Sequence, residues 1–254
     1  MSRPLILVTN DDGVSAKGIQ SLAKAMVPHG DIVIIGPDSP QSGTGHAITI
    51  NHPLRLHESG LFDGQQAYAC TGTPVDCVKL GIYEVLHRKP DLLVSGINHG
   101  ANTSTNVLYS GTMSAAVEGA MEGIPSIGFS LDCFDHDADF SIAMEVVSNV
   151  VEGVLKNGMP KDICLNVNIP YVDKVDFKGI RVCRQAHAFW ADRFDKRHDQ
   201  FNRPYYWLTG EFSDQDKSKD TDLFYIAQGY ATIVPTQFDM TSHKHVESIE
   251  KWDL

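Results

Sequence analysis

Leu5-Ile6-Leu7-Val8 is an unbroken apolar run that leads into Thr9-Asn10-Asp11-Asp12-Gly13, and no other stretch restricts the fold as much. Four apolar residues without alternation suit a strand covered on both faces, the condition of a parallel sheet. Ser15 is placed to cap a following helix, with Ile19, Leu22, Ala23, Met26 and Val27 on its apolar face. Asn10 to Gly13 then lies where a strand's carboxyl end enters a helix, the edge at which open α/β sheets bind ligands. Two adjacent carboxylates there repel one another until a cation or proton comes between them, so Asp11 and Asp12 are candidate ligands for a hard divalent ion. For the pair taken alone, the plainer alternative is one Asp capping the helix and the other in water.

Strand and helix patterns keep alternating to about residue 160. Asp31 to Gly36 reads as the second strand and runs into Pro37-Asp38-Ser39-Pro40-Gln41-Ser42-Gly43-Thr44-Gly45-His46, too polar and kinked for a core and placed to wall the site. Ala47 to Ile50 and Leu54 to His57 have the look of short, half-buried strands. Thr73 and Pro74 open a helix as N-cap and first helical residue, with Val75, Val78, Ile82 and Leu86 facing inward. Asp91 to Ser95 forms a strand that delivers Gly96-Ile97-Asn98-His99-Gly100-Ala101-Asn102 to the same edge as the Asp pair. Tyr109-Ser110-Gly111-Thr112 precedes the stripe Met113, Ala116, Val117, Ala120 and Met121, a helix start whose hydroxyls, glycine and free amides suit phosphate; service as a mere N-cap is the alternative for Ser110 or Thr112. Pro125 to Phe129 resumes the sheet, and Ala143, Val146, Val147, Val150, Val151 and Val154 line a long helix that stops near Gly158 and Pro160. The pattern predicts an α/β fold with a Rossmann-like, doubly wound, mostly parallel sheet over residues 1–160, joined by right-handed crossovers.

After residue 160 strands dominate, and a C-terminal β-rich appendage is expected over 161–254. Ile163, Leu165, Val167 and Ile169 alternate with polar residues. Residues 180–212 combine Arg181, Arg184, Arg193, Lys196, Arg197 and Arg203 with Phe189, Trp190, Tyr205, Tyr206 and Trp207. Such a mixture can bind single-stranded nucleic acid, but Asp192, Asp195 and Asp199 interrupt it, which favours an extended hairpin that docks on another subunit. Ser213 to Asp222 reads as a charged surface loop and Gly229 to Pro235 as the last strand. The tail from Asp239 onward carries only Met240, Val246, Ile249 and Trp252 as an apolar stripe, too thin to fold alone and suited to a neighbouring subunit.

Several classes of function can be set aside. A formal charge of -11 on 254 residues disfavours general binding to nucleic-acid backbones. No stretch approaches the roughly 20 apolar residues of a membrane span, and no basic segment followed by a long apolar run opens the chain, so a cytoplasmic protein is expected. Five cysteines, odd in number and without Cys-x-x-Cys, point to reduced thiols rather than to a disulfide frame or zinc ribbon. The phosphate-binding P-loop, a Gly-x-Gly-x-x-Gly between strand and helix, and the Gly-x-Ser-x-Gly elbow are all absent. His136, His243 and His245 read as solvated loop residues, whereas His46, inside the Gly-rich loop, is placed to protonate a leaving group near neutral pH.

Taken together, Thr9-Asn10-Asp11-Asp12-Gly13, Pro37-Asp38 with Gln41-Ser42-Gly43, Thr71-Gly72-Thr73-Pro74 with Asp76-Cys77, Ser95-Gly96-Ile97-Asn98 with Gly100 and Asn102, Tyr109-Ser110-Gly111-Thr112, and Gly229-Tyr230 resemble the SurE survival-protein family, in that family's order and over nearly the whole chain. The resemblance implies a divalent-metal-dependent nucleotidase that removes phosphate from nucleoside 5'- and 3'-monophosphates and, in some members, trims short polyphosphate. It further implies Asp11, Asp12, Ser42 and Asn98 as ligands of one Mg²⁺ or Mn²⁺ per subunit, with the Ser110-Gly111-Thr112 turn as phosphate cradle and Asn98, Asn102 and His46 beside the substrate. Dimers or tetramers joined through the hairpin and exchanged C-terminal tails are implied as well, with no stable nucleic-acid partner and no membrane. Gly36 in place of Ala, and Met240-Thr241-Ser242-His243 in place of Leu-Thr-Ala-His, depart from the family pattern without touching these residues.

The chemistry agrees with that implication. Two carboxylates and two neutral oxygens make an all-oxygen site that favours Mg²⁺ or Mn²⁺ over zinc. Nothing in the spacing separates Asp11 from Asp12 as general base, or excludes Asp11 as a nucleophile. Two competing classes remain at this level: a phosphoacceptor receiver domain, which would need an acceptor Asp where this chain has Asn98, and a nucleic-acid-binding module built on the Arg181 to Trp207 arm.

Overall fold

The computed structural model describes residues 3–253; residues 1, 2 and 254, the outer ends of the two expected segments, lie outside the described residues. The first half contains β1 (Leu5–Thr9), α1 (Lys17–Met26), β2 (Asp31–Pro37), β3 (Leu56–Glu58), β4 (Gln66–Cys70), α2 (Pro74–Leu80) and β5 (Leu92–His99). There follow α3 (Gly111–Met121), β6 (Ser126–Leu131), α4 (Ser141–Asn157), β7 (Ile163–Ile169) and β8 (Ile180–Val182). The chain ends with β9 (Ala188–His198), β10 (Pro204–Asp214), α5 (Asp222–Ala227), β11 (Ala231–Gln237) and α6 (His243–Ile249).

Nine strands form one sheet in the order β3-β4-β2-β1-β5-β6-β7-β11-β8. From β4 to β7 all neighbours are parallel, while β3 and β11 pair antiparallel to β4 and β7. The opening apolar run behaves as its lack of alternation requires. Ile6 and Val8 pack with Ile34, Val94 and Phe129 against α1 and α4, and Leu7 packs with Val33, Ile35 and Leu93 against α2 and α3. Each fully buried Ile or Leu in these two layers contributes about 1.5–3 kcal/mol. Strand order reverses at β1, which has β2 on one side and β5 on the other, so a crevice opens between the carboxyl ends of β1 and β5. Gly18 lets α1 lie directly on that switch point, since a β-carbon there would stand 1.9 Å from the Ile97 carbonyl oxygen.

Several expectations are corrected by tertiary contacts. Ser15 is exposed and does not cap α1; a turn closed by Ala16 N–H to Gly13 O delays the helix, Ala16 takes the N-cap position without a side-chain bond, and Val27 falls just past the helix end. Ala47 to Ile50 is no strand, because Ala47 O accepts from the Thr73 hydroxyl and Thr49 N–H donates to Asp76, the two capping residues of α2. In its place β4 pairs with β2, a strand whose Gln-Ala-Tyr-Ala-Cys sequence carries little strand signal of its own. The Thr73 cap is confirmed as a full capping box with Asp76.

The crossover through α4 also departs from expectation. It links neighbouring strands in the same direction as α3 does, yet α4 packs on the opposite face, beside α1. It therefore has the opposite hand to the connection through α3, against the strong general preference for right-handed units. α3 already covers β5, β6 and β7 on its own face, which leaves α4 the other side.

The strand-helix alternation stops near residue 160, but the sheet does not: β7 continues it in parallel, and β11 and β8 extend it. The polar residues that alternate along β7 are not solvated. Asn166 and Asn168 are buried and bonded to the segment after β5. Thr221 and Asp222, assigned to the charged loop, are buried at the start of α5, and Arg184 holds Asp216 and Asp220 at the surface.

The extended hairpin is present as expected. β9 and β10 pair only with each other, from Pro204 opposite His198 to Asp214 opposite Ala188, and Phe194, Tyr206, Trp207 and Leu208 lie exposed along it. Arg197 and Arg203 are paired with Asp195 and Asp199, so the arm offers little free positive charge to a nucleic acid. α6 has no buried residue. Among the described residues no helix is long and apolar enough to cross a membrane.

Candidate metal and phosphate site

The two carboxylates leave β1 into different surroundings. Asp11 is 3% exposed, and its Oδ1 accepts the hydroxyl proton of Thr112 at the start of α3. Gly111 lies against the same side chain, and a β-carbon there would come within 2.7 Å of Asp11 Cβ and 2.9 Å of its Oδ2, so only glycine permits the approach. Asp12 is less buried, and its Oδ2 accepts from His99 N–H at 3.2 Å, beside Asn98. The Gly-rich loop joins the group through Gln41 N–H to Asp11 O at 2.7 Å, with the exposed Ser42 next in sequence, and Gly45 N–H to Tyr109 O at 3.2 Å ties the same loop to the approach to α3.

Both carboxyls hold a proton more tightly than a free aspartate does. Burial, and then the charge of Asp12, push Asp11 up to about 6, while the hydroxyl and amide of Thr112 pull the other way. Burial also raises Asp12, against the His99 amide and His136. Among the described residues, Thr9 Oγ1, Asn10 Oδ1, Ser95 Oγ and His99 Nδ1 lie buried about the switch point without a hydrogen bond of good geometry, though Cys77 stands beside Thr9 and the Asp135 backbone beside His99. Unmet groups of this kind cost about 1–3 kcal/mol each and gather where a ligand is to be received.

The donor set fits a hard cation. Asn98 Nδ2 donates to His99 O at 3.2 Å and Gly100 O at 2.7 Å, which orients the amide and leaves its oxygen free. Among the described residues no cluster of three or more His, Cys, Asp or Glu could hold a metal, so a metal here would rely on Asp11 and Asp12 for charge and on Ser42 and Asn98 for neutral oxygens.

Other expected residues have partners of their own. Ser110 is the N-cap of α3 and accepts from Met113 N–H at 3.1 Å, whereas Thr112 is no cap. Asn102 is locked in a buried network: its N–H donates to Asn168 at 2.7 Å, its carbonyl accepts from Asn166 at 2.8 Å, and its Nδ2 donates to Ser130 at 2.8 Å. His46 Nε2 lies 2.9 Å from Glu118, a residue of α3 that is 3% exposed and also holds Lys79 at 2.5 Å. Burial would raise Glu118, but His46 and Lys79 outweigh it and keep the carboxyl below its ordinary range. Glu118 escaped notice in the sequence because a single acidic residue in an apolar stripe carries no pattern.

Comparison with known proteins places this arrangement. The family model described as Survival protein SurE matches residues 6–192. The chain is 53% identical to the 5'-nucleotidase SurE of Flavobacterium psychrophilum, over 100% of this chain and 99% of that one. It is 54% identical to the 5'-nucleotidase SurE of Cytophaga hutchinsonii, over 96% and 95% of the two chains. The crystal structure of the SurE protein from Aquifex aeolicus superposes with a TM-score of 0.84 at 37% identity, covering 97% of this chain and 98% of that one.

Proposed function

Because the chain belongs to the SurE survival-protein family, we propose that Asp11, Asp12, Ser42 and Asn98 hold one Mg²⁺ or Mn²⁺ per subunit while the start of α3 receives the phosphate of a nucleoside 5'- or 3'-monophosphate. The protein is a nucleotidase, a metal-dependent phosphomonoesterase that releases nucleoside and phosphate. The observation that carries the residue assignment is the contact of Thr112 and Gly111 with Asp11, which puts the proposed metal ligand and the proposed phosphate donors within one side chain of each other.

When bound, the metal supplies charge to the phosphoryl oxygens and a site for water. The Gly111 amide stands at the positive end of α3, where phosphoryl oxygens are stabilised, and Thr112 gives its hydroxyl and amide to Asp11 and so holds that carboxyl beside it. Asp11, already in contact with Thr112, is our choice to take the proton of the attacking water, and Asn98 keeps its oxygen toward the centre through its two backbone bonds. His46 is held by Glu118 and can serve the leaving group only as that pair allows. The test is phosphate release from a panel of nucleoside monophosphates and short polyphosphate, with chelator and then with each metal restored; turnover undiminished by chelator removes the reading.

Metal binding is expected to weaken as the pH falls through about 6, because the cation must displace the proton that burial holds on Asp11. The stability of the metal-free protein runs the other way with pH. A carboxyl raised from 3.8 to about 6 favours the fold below its unfolded value, and that contribution is lost as the pH rises through about 6. Thermal unfolding with and without Mn²⁺ across pH 5 to 8 checks both, and a metal-induced rise in Tm that is flat with pH contradicts them.

Self-association belongs to the same proposal. An isolated two-stranded ribbon is marginal in water, and this one exposes Trp207, Tyr206 and Phe194 at 59, 55 and 67%. Light scattering at micromolar concentration is expected to give a dimer or tetramer, and a monomer mass would refute it. The five cysteines, all unpaired and three of them buried, support a reducing, cytoplasmic setting.

A further inference from the structure

We propose that Asp222 and Ser104 form a clamp that positions the phosphate-receiving start of α3 and ties it to the root of the hairpin; this rests on the reading of Ser110 to Thr112 as the phosphate site. Asp222 is 0% exposed, and its contacts are backbone N–H groups rather than a cation. Its Oδ2 accepts from Ser104 N–H at 2.8 Å, and its Oδ1 from Ala186 N–H at 2.9 Å and Leu223 N–H at 2.8 Å. A carboxylate is buried in this way only where its hydrogen bonds are met, so each of the three donors is part of what keeps it there.

Ser104 is the second half of the clamp. It is 0% exposed and has φ +54°, the left-handed region that a serine adopts only when its surroundings hold it. Its hydroxyl lies 2.9 Å from Ala186 O and 2.7 Å from Ala188 O and accepts from Ala188 N–H at 2.9 Å. Ala188 is the first residue of β9, and Thr105 bonds the same carbonyl at 2.6 Å. Two residues further along the strand, Trp190 Nε1 donates to Asn106 at 3.0 Å.

From Ser104 the chain has little slack before the phosphate site. Ser104–Leu108 is a 3-10 turn, closed by Asn106 N–H to Thr103 O and Tyr109 N–H to Asn106 O, and it enters Ser110, the cap of α3, directly. Upstream, Asn102 is fixed by Asn166, Asn168 and Ser130. Ser104 is therefore the next anchor after Asn102 on the way to Gly111 and Thr112, and a shift there is passed along a rigid turn rather than absorbed. Asp222 and Ser104 are positioning residues, acting on phosphate through α3 and not on the metal.

Two variants test the clamp. Asp222→Asn can keep its oxygen on Ala186 and Leu223, but then its NH₂ faces the Ser104 amide, so the substitution releases Ser104 selectively. Ser104→Gly removes the hydroxyl bonds to the arm root while suiting the left-handed backbone, and it buries no unpaired charge. Both are expected to raise KM and the inhibition constant of inorganic phosphate about tenfold or more, with Mn²⁺ affinity by calorimetry kept within about twofold. A variant that is merely less stable shows a lower Tm with unchanged constants for its folded fraction, and that result, or a shared loss of metal and phosphate affinity, overturns the proposal. If Asp222→Asn does not fold, Ser104→Gly decides alone. Wild-type protein serves as the control: if inorganic phosphate does not inhibit it competitively, the reading of the phosphate site has failed, whereas normal inhibition of wild type with wild-type constants in the clamp variants refutes the clamp only.

Discussion

Asp11→Asn and Asp12→Asn are expected to abolish metal-dependent turnover while the fold survives. Each removes one of the two charges that the proposed site offers a cation, and the neutral oxygens proposed from Ser42 and Asn98 cannot replace it. Breaking a buried charged contact costs about 3–5 kcal/mol, which at about 1.36 kcal/mol per decade is roughly 10²- to 10⁴-fold in metal affinity. The effect on stability has the opposite sign. In metal-free protein at pH 7, Asp11 is ionised at the expense of its burial and of repulsion by Asp12, and the rise from 3.8 to about 6 corresponds to a penalty on the order of 2–3 kcal/mol. Asp11→Asn relieves that penalty and still accepts the Thr112 hydroxyl, so the metal-free variant is expected to melt above metal-free wild type. Calorimetric Mn²⁺ titration and thermal melts in chelator read the two effects separately. A variant that binds Mn²⁺ as wild type does, or turns over fully in chelator, contradicts the assignment.

Thr112→Val should give the second largest loss. The substitution keeps the volume of a residue that is 0% exposed and removes one hydroxyl. Losing a group that orients a metal ligand costs about 10- to 100-fold in metal affinity or activity. The structure adds a consequence that the sequence pattern did not contain. Because the hydroxyl bonds Asp11, its removal also withdraws a contact that lowers the carboxyl's proton affinity, so the pH at which Mn²⁺ binding fails should move upward in Thr112→Val. Thr112→Ser, which keeps the hydroxyl, is expected to stay within several-fold of wild type in both respects. Equal activity of Thr112→Val and wild type at pH 7 would show that holding Asp11 through this hydroxyl does not matter to turnover.

The placement of much of the candidate site could be read from residue order because its members sit at the ends of strands that announce themselves. Ile6 to Val8 and Leu92 to Val94 are buried on both faces, and a strand of that kind must carry the residues after it to one sheet edge. Asp11, Asp12 and Asn98 follow from that alone, and Thr73 with Pro74 specified a cap through local bonding. Where chemistry is set by contacts between distant segments, local pattern was silent or misleading. Ala47 to Ile50 has the composition of a strand but bonds to the cap of α2, and Gln66 to Cys70 lacks that composition but becomes a strand because β2 offers it an edge. Asp222 sits in what reads as a charged loop, yet it is buried, because three backbone N–H groups converge on it from three parts of the chain.

The division has a physical cause. Periodicity, capping and turn chemistry act over a few residues, so the sequence by itself determined the alternating core, the edge at which ligands bind and the carboxylate pair. Partners separated by tens of residues are chosen by packing, which depends on which faces remain open once the sheet has formed. Only the tertiary structure decided that α4 crosses on the α1 side, that β7 continues the sheet with Asn166 and Asn168 buried, that Thr112 reaches Asp11, and that His46 is held by Glu118.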